Sequence, residues 1–296
     1  MKHQDNTLDL IFSIVDDFCK KHLKKKKRRK IGSPVKYYDN QILKMIAVKY
    51  LLGINSDRSL VRILSGGIGK RIFSSVPDHS RFNRRSKELF PVLVKFQKFL
   101  SSKLHSHLKV IRLIDSTPIP VVSYLRSSRS TSFPEASYGY CAAKDEKYYG
   151  FKLHMLITTN GVPTNFDLTP ANIHDLSVTE ELTEPYQELI IVGDKGYLSK
   201  TQQQELQYKN KILITSYRKN QKQKNNWFEK KLLKSRRKIE TVFSQLKEHM
   251  NLENTKAKSL LGLASRIMGI IFSFTLGIFV NKLLGRKLLN IKSLLV

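Results

Sequence analysis

The sequence predicts an α/β fold: a mixed β-sheet core that is preceded by an all-helical N-terminal region and followed by C-terminal helices. Between residues 110 and 250, short apolar runs alternate with helical stretches, which is typical of an α/β layer. Before residue 105, apolar residues recur at helical spacing, and the longest apolar stretch, residues 267–280, follows the predicted sheet. We therefore expect three segments, residues 1–105, 106–255 and 256–296.

The balance of charge indicates the kind of partner. The 296-residue chain carries 53 Lys and Arg against 24 Asp and Glu, so its net charge is +29. That much like charge repels itself in a compact fold unless a polyanion offsets it, which argues against a purely small-molecule metabolic enzyme. Because the excess is spread along the chain and not confined to one amphipathic helix, it favours nucleic acid over a membrane surface.

Two features favour the cytoplasm. Cys19 and Cys141 are too few for a disulfide framework, which indicates a reducing compartment. The apolar stretch at residues 267–280 has 14 residues, fewer than the roughly 20 that cross a bilayer. We expect a buried or partner-facing helix there, and no membrane association.

The N-terminal region is predicted to hold short helices and a basic arm. Nine of the eleven residues 20–30 are Lys or Arg, which we interpret as an arm that binds DNA phosphates; a solvated charge run is the alternative. A helix is expected to begin near Asp78 and to carry Arg81, Arg84 and Arg85. Short helices joined by Gly-containing turns are typical of a helix-turn-helix DNA reader or of a packing cap, and both interpretations stay open.

Three acids occupy distinctive positions in the middle segment. Asp115 and Asp194 each end an apolar run that is predicted to be a strand. If the two strands are parallel neighbours, both carboxylates emerge at the same edge of the sheet, where α/β proteins build their sites. Glu240 lies on a helix predicted over residues 231–250, in one stripe with Arg236 and Lys247. An ordinary surface ion pair between Arg236 and Glu240 is the alternative.

The chemistry of these acids points to a metal. Carboxylates brought close together repel each other unless a hard divalent cation lies between them. Mg²⁺ prefers oxygen ligands, with Mn²⁺ as a possible substitute, so Asp115, Asp194 and Glu240 are candidate metal ligands as well as candidate catalytic residues. Two such ions activate a water or sugar hydroxyl and stabilise the leaving oxygen, which implies phosphodiester cleavage and transfer.

Further residues are candidate DNA contacts. Lys152 and Lys195 flank the predicted site, where each either touches a phosphate or is simple surface charge. Ten Lys and Arg lie within residues 217–238 together with Trp227, which either stacks on an unpaired base or anchors a loop. His154 lies in an apolar strand pattern and is predicted to be a hydrogen-bonded structural histidine, not a metal ligand.

Six segments together carry a resemblance to a known family: residues 80–85, 114–121, 149–154, 168–170, 193–197 and 236–245. In this order they resemble the DDE transposases of bacterial insertion sequences, in particular the insertion sequence 982 family. The resemblance implies an RNase H-like catalytic domain whose first strand, fourth strand and last helix supply Asp115, Asp194 and Glu240. It also implies Mg²⁺-dependent cleavage of double-stranded DNA at the element ends, followed by strand transfer into target DNA.

The resemblance has further implications and one departure. It implies a bacterial, cytoplasmic, nucleoid-associated protein that forms a homodimer or larger assembly on DNA. A signature of related transposases has Tyr where this chain has Leu233, so the contact made by that Tyr is in doubt. Two other functions stay open: an RNase H-like nuclease or resolvase that cuts without joining, and a non-catalytic basic nucleic-acid-binding protein. The second leaves the positions of the three acids unexplained.

Overall fold

The structure is a computed structural model that describes residues 2–23, 36–73, 75–104, 110–142, 144–197, 199–217 and 224–295. It divides into two compact units. Unit 1 comprises Met1–Leu100, Gln245–Lys256 and Leu261–Val296, and unit 2 comprises Ser101–Ser244 and Ala257–Leu260. Of the basic arm predicted at residues 20–30, only residues 20–23 are described, and the rest lies outside the described residues.

Unit 1 is built from helices. The first part of the chain forms α1 (Lys2–His22), α2 (Asp39–Leu51), α3 (Asp57–Leu64), α4 (Gly67–Ile72), α5 (His79–Glu88) and α6 (Phe90–Leu104). The side chain of Asp78 caps α5 by accepting a hydrogen bond from the backbone N–H of Arg81. Helix α5 ends at Glu88, and Pro91 lies in the first turn of α6, where a missing N–H is tolerated.

The last helix, α11 (Leu260–Leu283), packs among these N-terminal helices. The rings of Phe272 and Phe96 lie with their centroids 5.0 Å apart. A Cβ atom on Gly269 would lie 2.8 Å from the ring of Tyr50, so glycine lets α11 and α2 approach closely. The sequence predicted C-terminal helices that pack on the catalytic core or on a partner subunit; α11 instead forms part of the core of unit 1.

The predicted boundary near residue 255 is displaced for the same reason. Residues 245–256 belong to unit 1, where Nε2 of His249 lies 2.8 Å from the carbonyl oxygen of Leu51. Asn251 Nδ2 donates a hydrogen bond of 3.0 Å to the carbonyl of Gly53, the glycine with positive φ that follows α2. Hydrophobic periodicity indicates that a segment is buried, but it does not show which segment covers it.

Helix α11 is longer than the apolar stretch that predicted it. Among the described residues it is the one helix that is long and apolar enough to cross a membrane, with 24 residues. However, 83% of its most apolar 18-residue window is buried inside the fold. A core helix has the same length and composition, so the prediction of a buried helix is confirmed.

A buried ion cluster joins α2, α3, α5 and α11 in unit 1. Nζ of Lys49, a residue only 2% exposed, lies 2.7 Å from Oδ1 of Asp57. Arg266 Nη2 and Asn83 Nδ2 each lie 3.0 Å from Oδ2 of Asp57. Burial alone raises the pKa of Asp57, but the charges of Lys49 and Arg266 and the hydrogen bonds more than offset this, and its pKa is lowered. These four residues are called the buried ion cluster below.

Unit 2 contains a mixed sheet, as predicted. Its described strands are β1 (Ile111–Val122), β2 (Ser137–Cys141), β3 (Glu146–Thr158), β4 (Pro163–Pro170), β5 (Leu189–Val192) and β6 (Lys211–Ile214). The strand order is β2-β3-β1-β5-β6. The remaining strand, β4, pairs with β3 and is not part of this order. β3 is antiparallel to β1, β2 and β4, whereas β5 is parallel to both β1 and β6.

Two strands differ from the prediction. β1 does not end at Asp115 but continues to Val122, paired with β3 along its length. The parallel partner β5 pairs only as far as Leu113, so the second half of β1 has a free edge on which Pro118 and Pro120 are tolerated. The short strand β2 was not predicted at all, and because of it Asp194 follows the fifth strand of the chain and not the fourth.

Four helices complete unit 2: α7 (Asp175–Thr183), α8 (Lys200–Tyr208), α9 (Trp227–Ser235) and α10 (Arg237–Glu248), the last of which enters unit 1 at Gln245. The helix predicted over residues 231–250 is therefore two helices, with a turn at Arg236 between them. One face of α10 is buried, and it consists of Ile239, Val242, Phe243 and Leu246. One apolar core of unit 2 includes Ile114, Leu156, Val178, Leu182 and Tyr197.

Candidate active site

Asp115 and Asp194 lie side by side at one edge of the parallel part of the sheet. β1 and β5 pair through Leu113 and Val192, and each acid follows two residues later, Asp115 within β1 and Asp194 just after the end of β5. Parallel strands bring equivalent positions to the same height, so the two carboxylates emerge together, as the sequence predicted. Their mutual repulsion contributes to raising the pKa of Asp115.

The surroundings of Asp115 work against its negative charge. Burial raises the pKa of Asp115 to about 6. Two groups act in the opposite direction: the backbone N–H of Ser116, which donates to Oδ1 at 2.9 Å, and the charge of Arg236. The carboxylates of Asp194 and Asp175 raise the pKa further. Asp115 is therefore a carboxyl group that a nearby cation would stabilise in its charged form.

Asp194 is held by the turn that follows β5. Its Oδ1 accepts a hydrogen bond of 2.6 Å from the backbone N–H of Gly196. A Cβ atom on Gly196 would lie 2.9 Å from that same oxygen, so glycine allows the backbone to approach the carboxylate closely. The turn forms a short 3₁₀ helix, Lys195–Tyr197, that leaves Lys195 exposed directly beside Asp194.

A third acid of the site, Asp175, was not identified from the sequence. It is the first residue of α7, and its Oδ2 accepts a hydrogen bond of 2.9 Å from the hydroxyl of Ser116. Its Oδ1 lies 2.9 Å from Nζ of Lys152, which also donates to the carbonyl of Ile173 at 2.8 Å. His174 caps α7, and nothing in the sequence near it indicates that Asp175 contacts residues on β1 and β3.

Tyr197 brings a buried hydroxyl to these acids. Its side chain is fully buried in the apolar core of unit 2, and burial raises its pKa well above the usual value. The charges of Asp175, Asp115 and Asp194 raise the pKa further. Among the described residues its hydroxyl has no hydrogen-bond partner. The phenol is thus a buried donor that the acids act on.

Glu240 is less closely engaged. Its carboxylate Oε1 accepts from Nη2 of Arg236 at 3.0 Å, and more than half of its side chain is exposed. Arg236 also acts electrostatically on Asp115, so it stands between the helix acid and the strand acids. In the part of the chain that the structure describes, no three Asp, Glu, His or Cys side chains are close enough to hold a metal ion together. The structure thus brings together Asp115, Asp194 and the unpredicted Asp175, but not Glu240.

Comparison with known proteins assigns this site to a family. The family described as "Transposase DDE domain" matches residues 105–260, which is more than half of the chain. The chain belongs to this transposase family. A second family, described as "Transposase domain (DUF772)", matches residues 1–88 of the transposase. No curated protein matches its sequence.

Solved structures show the same fold. The transposase is similar to the chain in the cryo-EM structure of a piggyBac transposase synaptic complex with hairpin DNA, at 13% identity and a TM-score of 0.50. The similarity covers 99% of this chain and 78% of the other. The likeness to the pre-cleavage Mos1 transpososome is weaker, with 12% identity and a TM-score of 0.21, and it supports no conclusion. It covers 88% of this chain and 84% of the other. The catalytic unit of the transposase therefore has the predicted RNase H-like fold.

The residues of the transposase site fit the divalent metal ion that this family uses. Carboxylate oxygens are the ligands that hard cations such as Mg²⁺ prefer. The negative charges of Asp194 and Asp175 and the positive charge of Arg236 all act on Asp115, and Lys152 pairs with Asp175. Because burial holds the pKa of Asp115 at about 6, its ionised form gains from a cation beside it.

The residues predicted to contact DNA fall into two groups. Lys195, Arg81, Arg84 and Trp227 are exposed, although Arg81 also lies 3.8 Å from Asp78. Trp227 begins α9 with 74% of its surface accessible, and Lys231 Nζ lies 5.2 Å from the centroid of its ring.

The others are engaged in contacts within the chain. Arg85 pairs with both Asp39 and Glu88, and Lys247 lies 3.1 Å from Glu253. Lys152 is bonded to Asp175 and to the carbonyl of Ile173, which leaves one of its three N–H donors for any further partner.

His154 has the structural place that the sequence predicted. It is fully buried on β3, with Nε2 lying 2.8 Å from the hydroxyl of Thr169 on the neighbouring strand β4. Burial lowers its pKa, so the ring is neutral near pH 7.

Proposed function

We propose that this transposase uses Mg²⁺, or Mn²⁺ in its place, to cleave double-stranded DNA at the ends of an insertion sequence and to join those ends to target DNA. The observation that carries the proposal is the parallel pairing of β1 with β5, after which Asp115 and Asp194 each follow two residues past the last paired positions, and the charge of Asp194 acts on Asp115. The motifs of the chain further support a place in the insertion sequence 982 family.

In this proposal, Asp115, Asp194 and Glu240 hold the metal, which would activate the attacking water or hydroxyl and stabilise the leaving oxygen. The chain prepares the site before DNA arrives. The N–H of Ser116 fixes the orientation of Asp115, and the N–H of Gly196 fixes that of Asp194. Partial burial excludes water from Asp115, so electrostatic interactions there are stronger than at the surface.

Glu240 can join this site at little energetic cost. Its ion pair with Arg236 is an exposed i, i+4 pair on one helix, and such pairs contribute only about 0.2–0.5 kcal/mol. A divalent ion attracts a carboxylate more strongly than one guanidinium does, because it carries twice the charge. Release from Glu240 would also free Arg236 to contact a DNA phosphate.

The charge of the chain supports DNA as the partner. With 53 Lys and Arg against 24 Asp and Glu, it would release many counterions on binding a polyanion. The exposed residues Lys195, Arg84 and Trp227 are the proposed contacts, the first to phosphates near the scissile bond and the last to an unpaired base. We propose an assembly of two or more copies on paired ends, in the bacterial cytoplasm at the nucleoid.

The test uses supercoiled plasmid that carries the element ends, with the full-length protein and Mg²⁺. Asp115→Asn, Asp194→Asn and Glu240→Gln should each retain end binding and lose cleavage and joining by at least about 100-fold, because a metal ligand contributes several kcal/mol. The matched control is Glu180→Gln, which removes one negative charge and an exposed ion pair with Lys209 from α7. It should keep full activity.

The products separate the rival functions. Covalent joining of element ends to target DNA supports the transposase, whereas cleavage without joined products would support a nuclease or resolvase. Binding without either product would support a non-catalytic DNA-binding protein. Full activity in Glu240→Gln would remove Glu240 from the metal site and leave the two strand acids.

A further inference from the structure

One hydrogen-bonded bridge ties α7 to β1 and β3 directly beside Asp115. Ser116 takes part twice: its backbone N–H donates to Oδ1 of Asp115, and its hydroxyl donates to Oδ2 of Asp175, both at 2.9 Å. The other oxygen of Asp175 accepts from Lys152 Nζ at 2.9 Å. A single residue therefore holds two carboxylates, and both oxygens of the second carboxylate are occupied.

The bridge connects distant parts of the chain at the site. Ser116 and Asp175 are 59 residues apart, and Lys152 and Asp175 are 23 apart. The side chains of Lys152 and Asp175 are only 20% and 25% exposed, so their interaction is partly shielded from solvent. Asp175 is also the first residue of α7, where the helix dipole favours a negative charge.

Stability alone does not account for a third acid at this place. Asp175 brings a further carboxylate to the hydroxyl of Ser116, the residue whose backbone N–H already bonds to Asp115. Replacing a partly buried ion pair with neutral groups is often neutral or stabilising. A third carboxylate beside Asp115 and Asp194 is explained if the orientation of the neighbouring groups depends on it.

We propose that Asp175 is a positioning residue of the active site, which acts through Ser116 to hold the carboxylate of Asp115 in the orientation that binds the divalent metal ion. This inference rests on the proposed function. Substituting a residue that hydrogen-bonds to a metal ligand and orients it typically lowers metal affinity by about 10–100-fold. In this scheme Asp175 orients a ligand and is not itself one, and Ser116 and Lys152 each bond to one of its oxygens.

The experiment measures Mn²⁺ binding directly, from the electron paramagnetic resonance signal of free Mn²⁺ during titration of the full-length protein without DNA. Asp175→Asn should weaken Mn²⁺ binding by about 10-fold or more. Ser116→Ala keeps the backbone N–H but loses the hydroxyl, and it should weaken binding in the same direction. If Asp175 acts through Ser116, the double variant should bind Mn²⁺ as tightly as the single variant with the lower affinity.

The matched control is again Glu180→Gln, which removes a charge and a lysine partner from the same helix α7. It should bind Mn²⁺ within twofold of the wild type. The melting temperature of each variant separates loss of affinity from loss of fold. If Asp175→Asn fails to fold, Ser116→Ala decides the question, and binding within twofold of the wild type would overturn the inference.

The outcomes distinguish this inference from the proposed function. If the wild type and Asp115→Asn bind Mn²⁺ equally, or neither binds it, the proposed metal site is wrong and the inference falls with it. If Asp115→Asn abolishes binding but Asp175→Asn matches the control, only the inference is wrong. Additive losses in the double variant would also overturn it, because Asp175 would then act independently of Ser116.

Discussion

Replacing Asp115 by Asn should make the metal-free protein more stable at alkaline pH, although we propose that this residue is essential for activity. Asn has the same shape as Asp, and its amide oxygen can still accept the hydrogen bond from Ser116. It carries no charge, however, so burial next to Asp194 and Asp175 no longer costs electrostatic free energy. The variant should therefore lose function and gain stability together.

The size of the gain follows from the pKa of Asp115. In the folded protein the pKa is about 6, against 3.8 when the group is unperturbed. At about 1.4 kcal/mol per pH unit, this difference corresponds to about 3 kcal/mol. Because the folded state holds the proton more tightly than the unfolded state, the wild type loses this stability as the pH rises from about 4 to about 6, and the loss is complete near pH 8.

The assay is thermal unfolding followed by circular dichroism in EDTA, for the wild type and Asp115→Asn. At pH 8 the variant should melt about 6–12 °C higher, since 1 kcal/mol shifts the midpoint by about 2–4 °C in a domain of this size. At pH 4.5 the difference should shrink to about 1 kcal/mol, because most of Asp115 is then protonated in the folded state. Adding Mg²⁺ at pH 8 should stabilise the wild type and not the variant.

Two results would refute this reasoning. A stability difference that is the same at pH 4.5 and pH 8 would mean that the effect does not come from titration of Asp115. A less stable variant at pH 8 would mean that the buried carboxylate is already compensated by the protein.

Three further predictions concern other parts of the molecule. Asp57→Asn should lower the free energy of unfolding by about 3–5 kcal/mol in urea titrations, because it leaves the cations of the buried ion cluster without their acid; a loss below 1 kcal/mol would contradict this. Trp227→Ala should change stability by no more than about 0.5 kcal/mol but weaken binding to frayed element ends, and unchanged end binding would exclude base stacking. Arg84→Ala should reduce the slope of the logarithm of DNA affinity against the logarithm of salt concentration by about one, without changing the melting temperature. Arg85→Ala loses two carboxylate partners and should lower the melting temperature.

The sequence was sufficient to predict the pair of strand acids, because the signal is local. An apolar run that ends in Asp is visible in one strand at a time, and parallel pairing then follows from the alternation of strands and helices. The end of β1 was predicted wrongly for an equally local reason. Pro118 and Pro120 usually exclude a central strand, and only the tertiary structure shows that one edge is free at that point.

Asp175 and the partner of α11 could not be predicted, because both depend on contacts between distant segments. Nothing near Asp175 in the sequence indicates Ser116 or Lys152 as its neighbours. Likewise, the apolar residues of α11 predict burial on all sides but not burial against α2 and α6. The buried face of α10, in contrast, is visible in the sequence, since helical periodicity alone decides which side of a helix is apolar.

The composition of unit 1 has a consequence for how the protein is made. Its core needs α11, which the ribosome synthesises about 160 residues after α6. At the usual translation rate of about 5–20 residues per second, roughly 8–30 s pass before α11 is available to cover the apolar surfaces of the N-terminal helices. Unit 2 can fold during that interval, but a product truncated before Leu260 would expose the unit 1 core to aggregation and chaperone capture.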